Sequence, residues 1–289
     1  MASSTISMPT PLVDSEWLQA YLHHPEVVVV DCRFTLSDPQ QGYQEYLESH
    51  IPTAHYLSLD ADLSNSVGLH GGRHPLPDIN ILVPTLERLG ISSQPPTQVV
   101  AYDDTKGAFA ARLWWLLRYL GHPKVAVLDG GFSGWQANHL PVSTALPIAP
   151  QPGQLSPQMN AHWIASRATV MEQLHHSGSV LVDARSPDRY QGLQEPIDPV
   201  AGSIPGAVNF FWQNNLNAEG FFKSASELRQ QWRAIPEGDR RIFYCGSGVT
   251  ACVNLLAQAV MGNQLPQIYV GGWSDWCSEP PIEKRQSRI

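Results

Sequence analysis

Apolar and polar positions follow two periods along this chain. Short runs rich in Val, Ile and Leu, such as 27–30, 99–101 and 242–244, are typical of buried β-strands. Stretches with helical spacing lie between them, and 112–121 and 227–234 are two examples. Continuous apolar strands between helices predict an α/β fold, in which a parallel sheet is covered by helices on both faces.

Four sequence landmarks occur twice in the same order, which predicts two similar domains. They are Asp-x-Arg at 31–33 and 183–185, Ile-Pro-x-Ala at 51–54 and 204–207, the strand ends at Asp103 and Cys245, and Gly-Gly-x-x-x-Trp at 130–135 and 271–276. We place the first domain at 1–140, a Pro-rich extended linker at 141–157 and the second domain at 158–289. The polar segment from Glu279 onward is expected to have no role in the core.

The repeat separates structural from functional residues. Only the second half has the cysteine, so a feature found in both halves is interpreted as structural, and a feature found in one half is a candidate for chemistry. By this test the Asp-x-Arg pairs are ion pairs that fix the loop after each strand; the alternative is that Arg185 binds an anion. Trp135 and Trp276 are interpreted as packing residues.

Cys245 is the first residue of a loop between a predicted strand and a predicted helix. Gly246 and Gly248 allow the backbone to curl so that amide N–H groups point inward, and the helix start adds the positive end of its dipole. Such an anion nest, formed by the amides of 246–250, favours a thiolate, so Cys245 is the candidate nucleophile. The alternative is an inert buried cysteine. Cys252 is interpreted as a packed residue, with a resolving thiol as the alternative.

Other candidates occur in one half only. Arg189 has Ser37 at the matching position, and its guanidinium could hold a carboxylate or sulfonyl group through two hydrogen bonds. Arg73 and His74 follow two glycines in a compact polar loop, where they could add positive charge and move a proton. Asp60 is the last of these candidates. The alternatives are a solvated arginine and a loop that only stabilises a domain interface.

Composition narrows the function further. The 289 residues carry a formal net charge of −8, with a pI near 5.7, which argues against nucleic acid or an anionic membrane as the main partner. No run is long enough to cross a membrane, and residues 1–10 lack a secretory pattern. The four cysteines lack zinc-type spacing, so we expect no metal and a reducing, cytoplasmic location.

These motifs together resemble the tandem rhodanese family over about residues 12–276. The resemblance implies two rhodanese-like domains and an inactive first copy, in which Asp103 replaces the cysteine. It also implies sulfur transfer without a cofactor: Cys245 takes sulfane sulfur as a persulfide from a small anionic donor, 3-mercaptopyruvate or thiosulfate. Cyanide, a thiol or a thioredoxin-like protein then accepts it.

The resemblance extends to the site residues. The loop 245–250 is similar to the mercaptopyruvate version, with Gly246, Ser247, Gly248, Val249 and Thr250 surrounding the sulfur. Arg189, Asp60 and His74 match residues that line the family's donor site, whereas the second arginine expected within 192–201 is missing. The open alternatives are a thiosulfate-preferring rhodanese and a persulfide carrier without turnover.

Overall fold

The computed structural model describes residues 6–148, 150–174, 176 and 178–278, so the segment from Glu279 lies outside it. The chain forms two compact units. The first combines the described residues up to Leu63 with Pro77–Asn160 and Leu216–Ser224. The second combines Ser64–Leu76, Ala161–Asn215 and the described residues from Ala225 onward.

The first unit is built on a five-stranded parallel sheet with strand order β1-β5-β4-β2-β3. Its strands are β1 (Leu12–Val13), β2 (Val27–Asp31), β3 (His55–Tyr56), β4 (Gln98–Tyr102) and β5 (Val125–Leu128). Its helices are α1 (Ser15–Tyr21), α2 (Gln41–Glu48), α3 (Ile79–Arg88), α4 (Ala110–Tyr119) and α5 (Gly131–Ala137). Every residue of β4 is buried, and successive side chains point to opposite faces, so both faces of the central strand are covered.

The second unit repeats this arrangement with a four-stranded parallel sheet in the order β7-β6-β8-β9. Its strands are β6 (Ser179–Asp183), β7 (Val208–Asn209), β8 (Arg240–Tyr244) and β9 (Gln267–Ile268). Its helices are α6 (Arg167–Gln173), α7 (Pro187–Tyr190), α8 (Ala225–Trp232), α9 (Ala251–Val260) and α10 (Gly272–Trp276), with short 3₁₀ turns at Ala161–Trp163 and Trp212–Asn215. The α/β prediction is confirmed in both units.

The repeat is exact down to side-chain hydrogen bonds. Asp31 lies opposite Tyr102 in the first sheet, as Asp183 lies opposite Tyr244 in the second. Each tyrosine hydroxyl accepts a hydrogen bond from the isoleucine amide of the Ile-Pro-x-Ala turn, at 3.2 and 3.1 Å. These landmarks therefore hold the turn against the sheet in both units.

The Asp-x-Arg pairs are buried ion pairs in both units. In each pair the arginine Nη2 lies 2.7 Å from the aspartate Oδ2, and the same Nη2 donates to a backbone carbonyl at 2.6 Å. The guanidinium also stacks over an aromatic ring, Phe132 in one unit and Trp273 in the other. This confirms the ion-pair interpretation of Arg185.

Two segments depart from a division of the chain into sequential domains. The segment 64–76 belongs to the second unit, and 216–224 belongs to the first, where the Phe222 amide donates to Asp129 at 2.8 Å. The predicted linker is also part of the first unit. It is tied to α3, because the Gly153 amide donates to the Glu87 carbonyl at 2.7 Å.

Neither a membrane-spanning helix nor a metal-binding cluster occurs among the described residues. No helix among them is long and apolar enough to cross a membrane. No group of three or more His, Cys, Asp and Glu side chains among them is arranged to hold a metal ion.

Candidate active site

Cys245 lies directly at the carboxyl end of β8, and the loop 245–250 leads into α9. Its side chain is buried, with the whole residue 2% exposed. The position follows from the parallel sheet, since reactive groups in such folds lie beyond the carboxyl ends of the strands.

The backbone of this loop is fixed from one side. The Cys245 carbonyl accepts a hydrogen bond from the Trp273 amide at 2.8 Å, and the Gly246 carbonyl accepts one from Ser274 at 2.9 Å. In a trans peptide the N–H group points away from the C=O group, so the amides of Gly246 and Ser247 face the opposite side. Among the described residues neither amide has a hydrogen-bond acceptor.

Gly248 is required by the same packing. Its φ is +72°, and a Cβ atom there would lie 2.4 Å from the Val270 carbonyl oxygen. A left-handed backbone without a side chain lets the loop curl tightly before α9 begins.

The first unit contains the equivalent loop, and its amides bind a side chain of the loop itself. Asp103 occupies the position of Cys245, after β4, and its carbonyl is held in the same way by the Phe132 amide at 2.9 Å. The Asp103 carboxylate accepts hydrogen bonds from four loop amides, those of Thr105, Gly107, Phe109 and Ala110, at 2.7–2.9 Å. Burial raises the pKa of this carboxyl, and the four amide bonds act in the opposite direction. A strand-end loop in this chain thus directs four amide N–H groups at one acceptor group.

Two guanidinium groups lie over Gly246. A Cβ atom built on that glycine would lie 2.9 Å from Arg73 Nη2 and 3.5 Å from Arg189 Nη2. Both arginines keep partial access to solvent, with side chains 27% and 17% exposed. Two guanidinium groups therefore lie beside the cysteine loop, although 246–250 contains no basic residue.

Arg189 is held by two acidic residues. Its Nε and Nη2 atoms both donate to the Glu195 carboxylate, at 3.1 and 2.7 Å, and Nη2 also lies 3.2 Å from Asp198. This edge of the guanidinium is occupied, so it does not offer two parallel hydrogen bonds to a further anion. Its Nη1 atom has no hydrogen-bond acceptor among the described residues and points toward the space over Gly246, 3.7 Å from the position of the added Cβ.

His74 and Ser247 form a buried hydrogen bond, with 2.7 Å between Nδ1 and Oγ. Both residues are about as buried as the cysteine, at 5% and 4% exposed. The hydroxyl belongs to the cysteine loop and the imidazole to the segment 64–76. The pair can therefore move a proton within the second unit.

The segment that carries Arg73 and His74 is anchored to α10. The Gly71 amide donates to Asp275 at 2.7 Å, and the Arg73 amide donates to the Ser274 hydroxyl at 2.9 Å. Gly72 permits this approach, because a Cβ atom there would lie 2.3 Å from the Gly271 carbonyl oxygen.

The remaining candidates are placed as follows. Val249 is buried, and Thr250 directly precedes α9, without a side-chain capping hydrogen bond. Cys252 is fully buried, and its Sγ lies 3.4 Å from the Gly248 carbonyl oxygen, which fits a packed residue. Asp60 lies in the first unit, in the turn after β3, where partial burial raises its pKa; its role in the site stays a prediction.

Sequence reasoning missed the acidic residues of the site. Glu195 bonds to Arg189 and Arg185, and Asp198 bonds to Arg189 and Arg73. Burial raises the pKa of both carboxyls, but hydrogen bonds from Arg189 bring that of Glu195 below its usual value. The pKa of Asp198 stays raised, because burial and the charge of Glu195 outweigh the nearby arginines. The available signal was two acids six and nine residues after Arg189.

Comparison with known proteins relates both halves of the chain to one family. The family model for the rhodanese-like domain matches residues 14–138 and again 166–279. The chain belongs to the rhodanese family. The rhodanese resemblance noted from the sequence is thereby confirmed, including the two copies.

Individual relatives extend the comparison. The chain is 44% identical over 275 residues to a Pseudomonas aeruginosa protein named "Probable 3-mercaptopyruvate sulfurtransferase", covering 93% of this chain and 95% of the relative. It is 33% identical to rat thiosulfate sulfurtransferase over 96% of this chain and 95% of the relative. The solved 3-mercaptopyruvate sulfurtransferase from Leishmania major superposes with a TM-score of 0.81 at 28% identity, over 95% of this chain and 76% of that one. This rhodanese is therefore a sulfurtransferase.

Proposed function

We propose that this sulfurtransferase takes sulfur from 3-mercaptopyruvate onto Cys245 as a persulfide and passes it to a thiophilic acceptor. The observation that carries the proposal is the convergence of Arg73 and Arg189 above Gly246, beside a buried cysteine. An anion bound by these two guanidinium groups would lie over Gly246, the residue that follows Cys245.

The placement of the two guanidinium groups favours this donor. In thiosulfate the anionic sulfonate is bonded directly to the outer sulfur, whereas in mercaptopyruvate two carbon atoms separate the sulfur from the carboxylate. The loop 246–250 has no basic side chain to hold a sulfonate against the cysteine. The guanidinium groups of Arg73 and Arg189 lie over Gly246, the residue after the cysteine, where they can bind a carboxylate that is two carbon atoms away from the attacked sulfur.

The first step is a displacement at sulfur. The Cys245 thiolate attacks the donor's thiol sulfur, and the carbon–sulfur bond breaks with its electron pair on carbon. The organic product is the enolate of pyruvate. The enolate gains a proton and the new persulfide loses one, so the products are pyruvate and a persulfide anion. Loop amides stabilise the anionic sulfur as the amides around Asp103 stabilise its carboxylate.

The Ser247–His74 pair serves the leaving group. The Ser247 hydroxyl, hydrogen-bonded to His74, donates to the keto oxygen where negative charge develops, and the pair supplies the proton that the enolate takes up. Sulfite leaving from thiosulfate needs no such proton. This assistance is therefore specific to the mercaptopyruvate reaction.

The second step returns the thiolate. Cyanide, a small thiol or a thioredoxin-like protein attacks the outer sulfur of the persulfide, the sulfur–sulfur bond breaks, and Cys245 leaves as the thiolate. With cyanide the product is thiocyanate. All four cysteines are unpaired, which supports a reducing, cytoplasmic setting for this chemistry. We propose that the first unit takes no sulfur, because the Asp103 carboxylate fills its loop.

The test is donor turnover combined with mass spectrometry of the protein. After mercaptopyruvate is added without acceptor, Cys245 should gain one sulfur atom, and cyanide should remove it. Cys245→Ser should lose both the adduct and turnover, whereas Cys252→Ser, the matched control, should keep both, because serine can still donate to the Gly248 carbonyl. A better kcat/KM with thiosulfate would refute the donor assignment. An adduct that forms without turnover would point to a carrier instead.

A further inference from the structure

The arginines of the candidate site are held by carboxylates that are more buried than the arginines are. The side chains of Glu195 and Asp198 are 3% and 2% exposed. Asp198 Oδ1 bonds to Arg73 Nη1, and its Oδ2 lies 3.2 Å from Arg189 Nη2. Each carboxylate therefore bonds to a guanidinium group that itself lies over Gly246.

These bonds form one chain of alternating charge. It contains three guanidinium groups and three carboxylates, so its formal charges cancel. Its members, in order, are Arg73, Asp198, Arg189, Glu195, Arg185 and Asp183. A donor that enters this site can accept hydrogen bonds from the arginine N–H groups, although these six side chains together carry no net positive charge.

The first unit lacks this compensation. Arg33, which corresponds to Arg185 in the second unit, forms an ion pair with Asp31 alone among the described residues. Glu195 and Asp198 are thus additions in the half that contains Cys245, and they are not required for the Asp-x-Arg motif that both units share.

We propose that Asp198 and Glu195 set the donor preference, because they cancel the arginine charges and so favour a monoanionic donor over a dianionic one. The inference rests on the proposed function of the same site. Mercaptopyruvate carries one negative charge at neutral pH and thiosulfate carries two. A nearby carboxylate repels thiosulfate about twice as strongly, whereas N–H groups of Arg73 and Arg189 remain available to a single carboxylate.

The experiment removes one negative charge without removing the acceptor atom. Asp198→Asn keeps an oxygen for Arg73, and Glu195→Gln keeps one for Arg189. One unit charge a few ångströms from a bound anion changes affinity by a factor of about ten or more at the effective dielectric of a protein site. The ratio of kcat/KM for thiosulfate to that for mercaptopyruvate should therefore rise about tenfold in each variant.

The control removes the same charge elsewhere. Glu237 is exposed and precedes the amino end of β8, whereas Cys245 follows the carboxyl end of that strand. Glu237→Gln should leave the ratio unchanged. A loss of structure would lower the activity with both donors together, so the ratio distinguishes donor preference from stability.

Competitive inhibition gives a second readout that does not depend on the chemical step. Sulfate, a dianion, should inhibit Asp198→Asn about tenfold more strongly than wild type, whereas inhibition by pyruvate, a monoanion, should change less. An unchanged donor ratio together with unchanged sulfate inhibition would overturn the inference, even if Cys245 forms its persulfide as proposed. If Cys245→Ser kept its activity, the proposed function itself would fail, which is a separate outcome.

Discussion

The glycines at 246 and 248 are two residues apart in one loop, yet the structure predicts opposite consequences when each is changed to alanine. At 246 the added methyl would lie 2.9 Å from Arg73 Nη2, the end of a flexible side chain that can move aside. Gly246 is not among the residues with positive φ, so alanine fits its backbone and lowers the conformational entropy of the unfolded chain. At 248 the methyl would lie 2.4 Å from a backbone oxygen, with φ at +72°.

The magnitudes separate the two variants. For Gly246→Ala the gain of about 0.4–1 kcal/mol from a stiffer unfolded chain offsets part of the cost of moving Arg73, so the free energy of unfolding should change by less than about 1 kcal/mol. Displacing Arg73 removes one charge-assisted hydrogen bond to the donor, about 1.5–3 kcal/mol, which corresponds to roughly a 10- to 100-fold loss in kcat/KM. For Gly248→Ala, left-handed strain of about 1–2 kcal/mol adds to an overpacking cost of about 1–3 kcal/mol.

The assay pairs urea unfolding with steady-state kinetics for both variants. Gly246→Ala should unfold near the wild-type midpoint with a raised KM for mercaptopyruvate. Gly248→Ala should unfold at a clearly lower urea concentration. If Gly246→Ala kept the wild-type KM, the space above Gly246 would not be where the donor binds, and the reasoning from the two arginines would be wrong.

Three further predictions follow from individual contacts. His74→Ala should lower kcat with mercaptopyruvate by about 100-fold or more, as expected when a proton-transfer group is lost, and should affect thiosulfate turnover far less; equal losses with both donors would contradict the leaving-group role. Asp103→Ala should lower the unfolding temperature, because four amides lose their acceptor, while turnover at temperatures below the transition stays close to wild type; a large loss of turnover there would show that the first unit is not inactive. Burial raises the pKa of Asp198, so its negative charge is lost at a higher pH than that of an exposed aspartate. The thiosulfate-to-mercaptopyruvate ratio of kcat/KM should therefore rise as the pH falls through that pKa. This rise should be absent in Asp198→Asn. The groups that face Asp198 are Arg73, Arg189, Glu195, Arg185 and the Cys277 thiol.

The repeat made much of the fold predictable. Landmarks such as Asp-x-Arg at 183–185 and Cys245 are short sequence patterns at the ends of neighbouring strands, β6 and β8, which the parallel topology aligns. Helix bounds were close as well: the stretch predicted at 112–121 forms a helix at Ala110–Tyr119. Cys245 could be proposed as the nucleophile from the sequence because a cysteine at a strand end, followed by glycines and a helix, is a local pattern.

The acidic partners of Arg189 were not predictable in the same way. Whether an arginine is solvated or paired depends on how the loop 192–201 folds back, and no periodic pattern encodes that path. Glu195 occupies the Nε–Nη2 edge of Arg189, so a two-bond grip on a donor cannot use that edge, and the role of Arg189 in donor binding stays a prediction. The placement of Arg73 depends likewise on distant bonds, from Gly71 to Asp275 and from the Arg73 amide to Ser274.

The exchange of the segments 64–76 and 216–224 has a consequence for the chain as a whole. The polypeptide passes between its two units at 63–64, 76–77, 160–161, 215–216 and 224–225. A cut within 141–157 would leave a C-terminal fragment with Cys245, Ser247 and Arg189 but without Arg73 and His74, which lie on the other fragment. Although the sequence looks like two copies joined end to end, expressing either half by itself would therefore yield an incomplete unit.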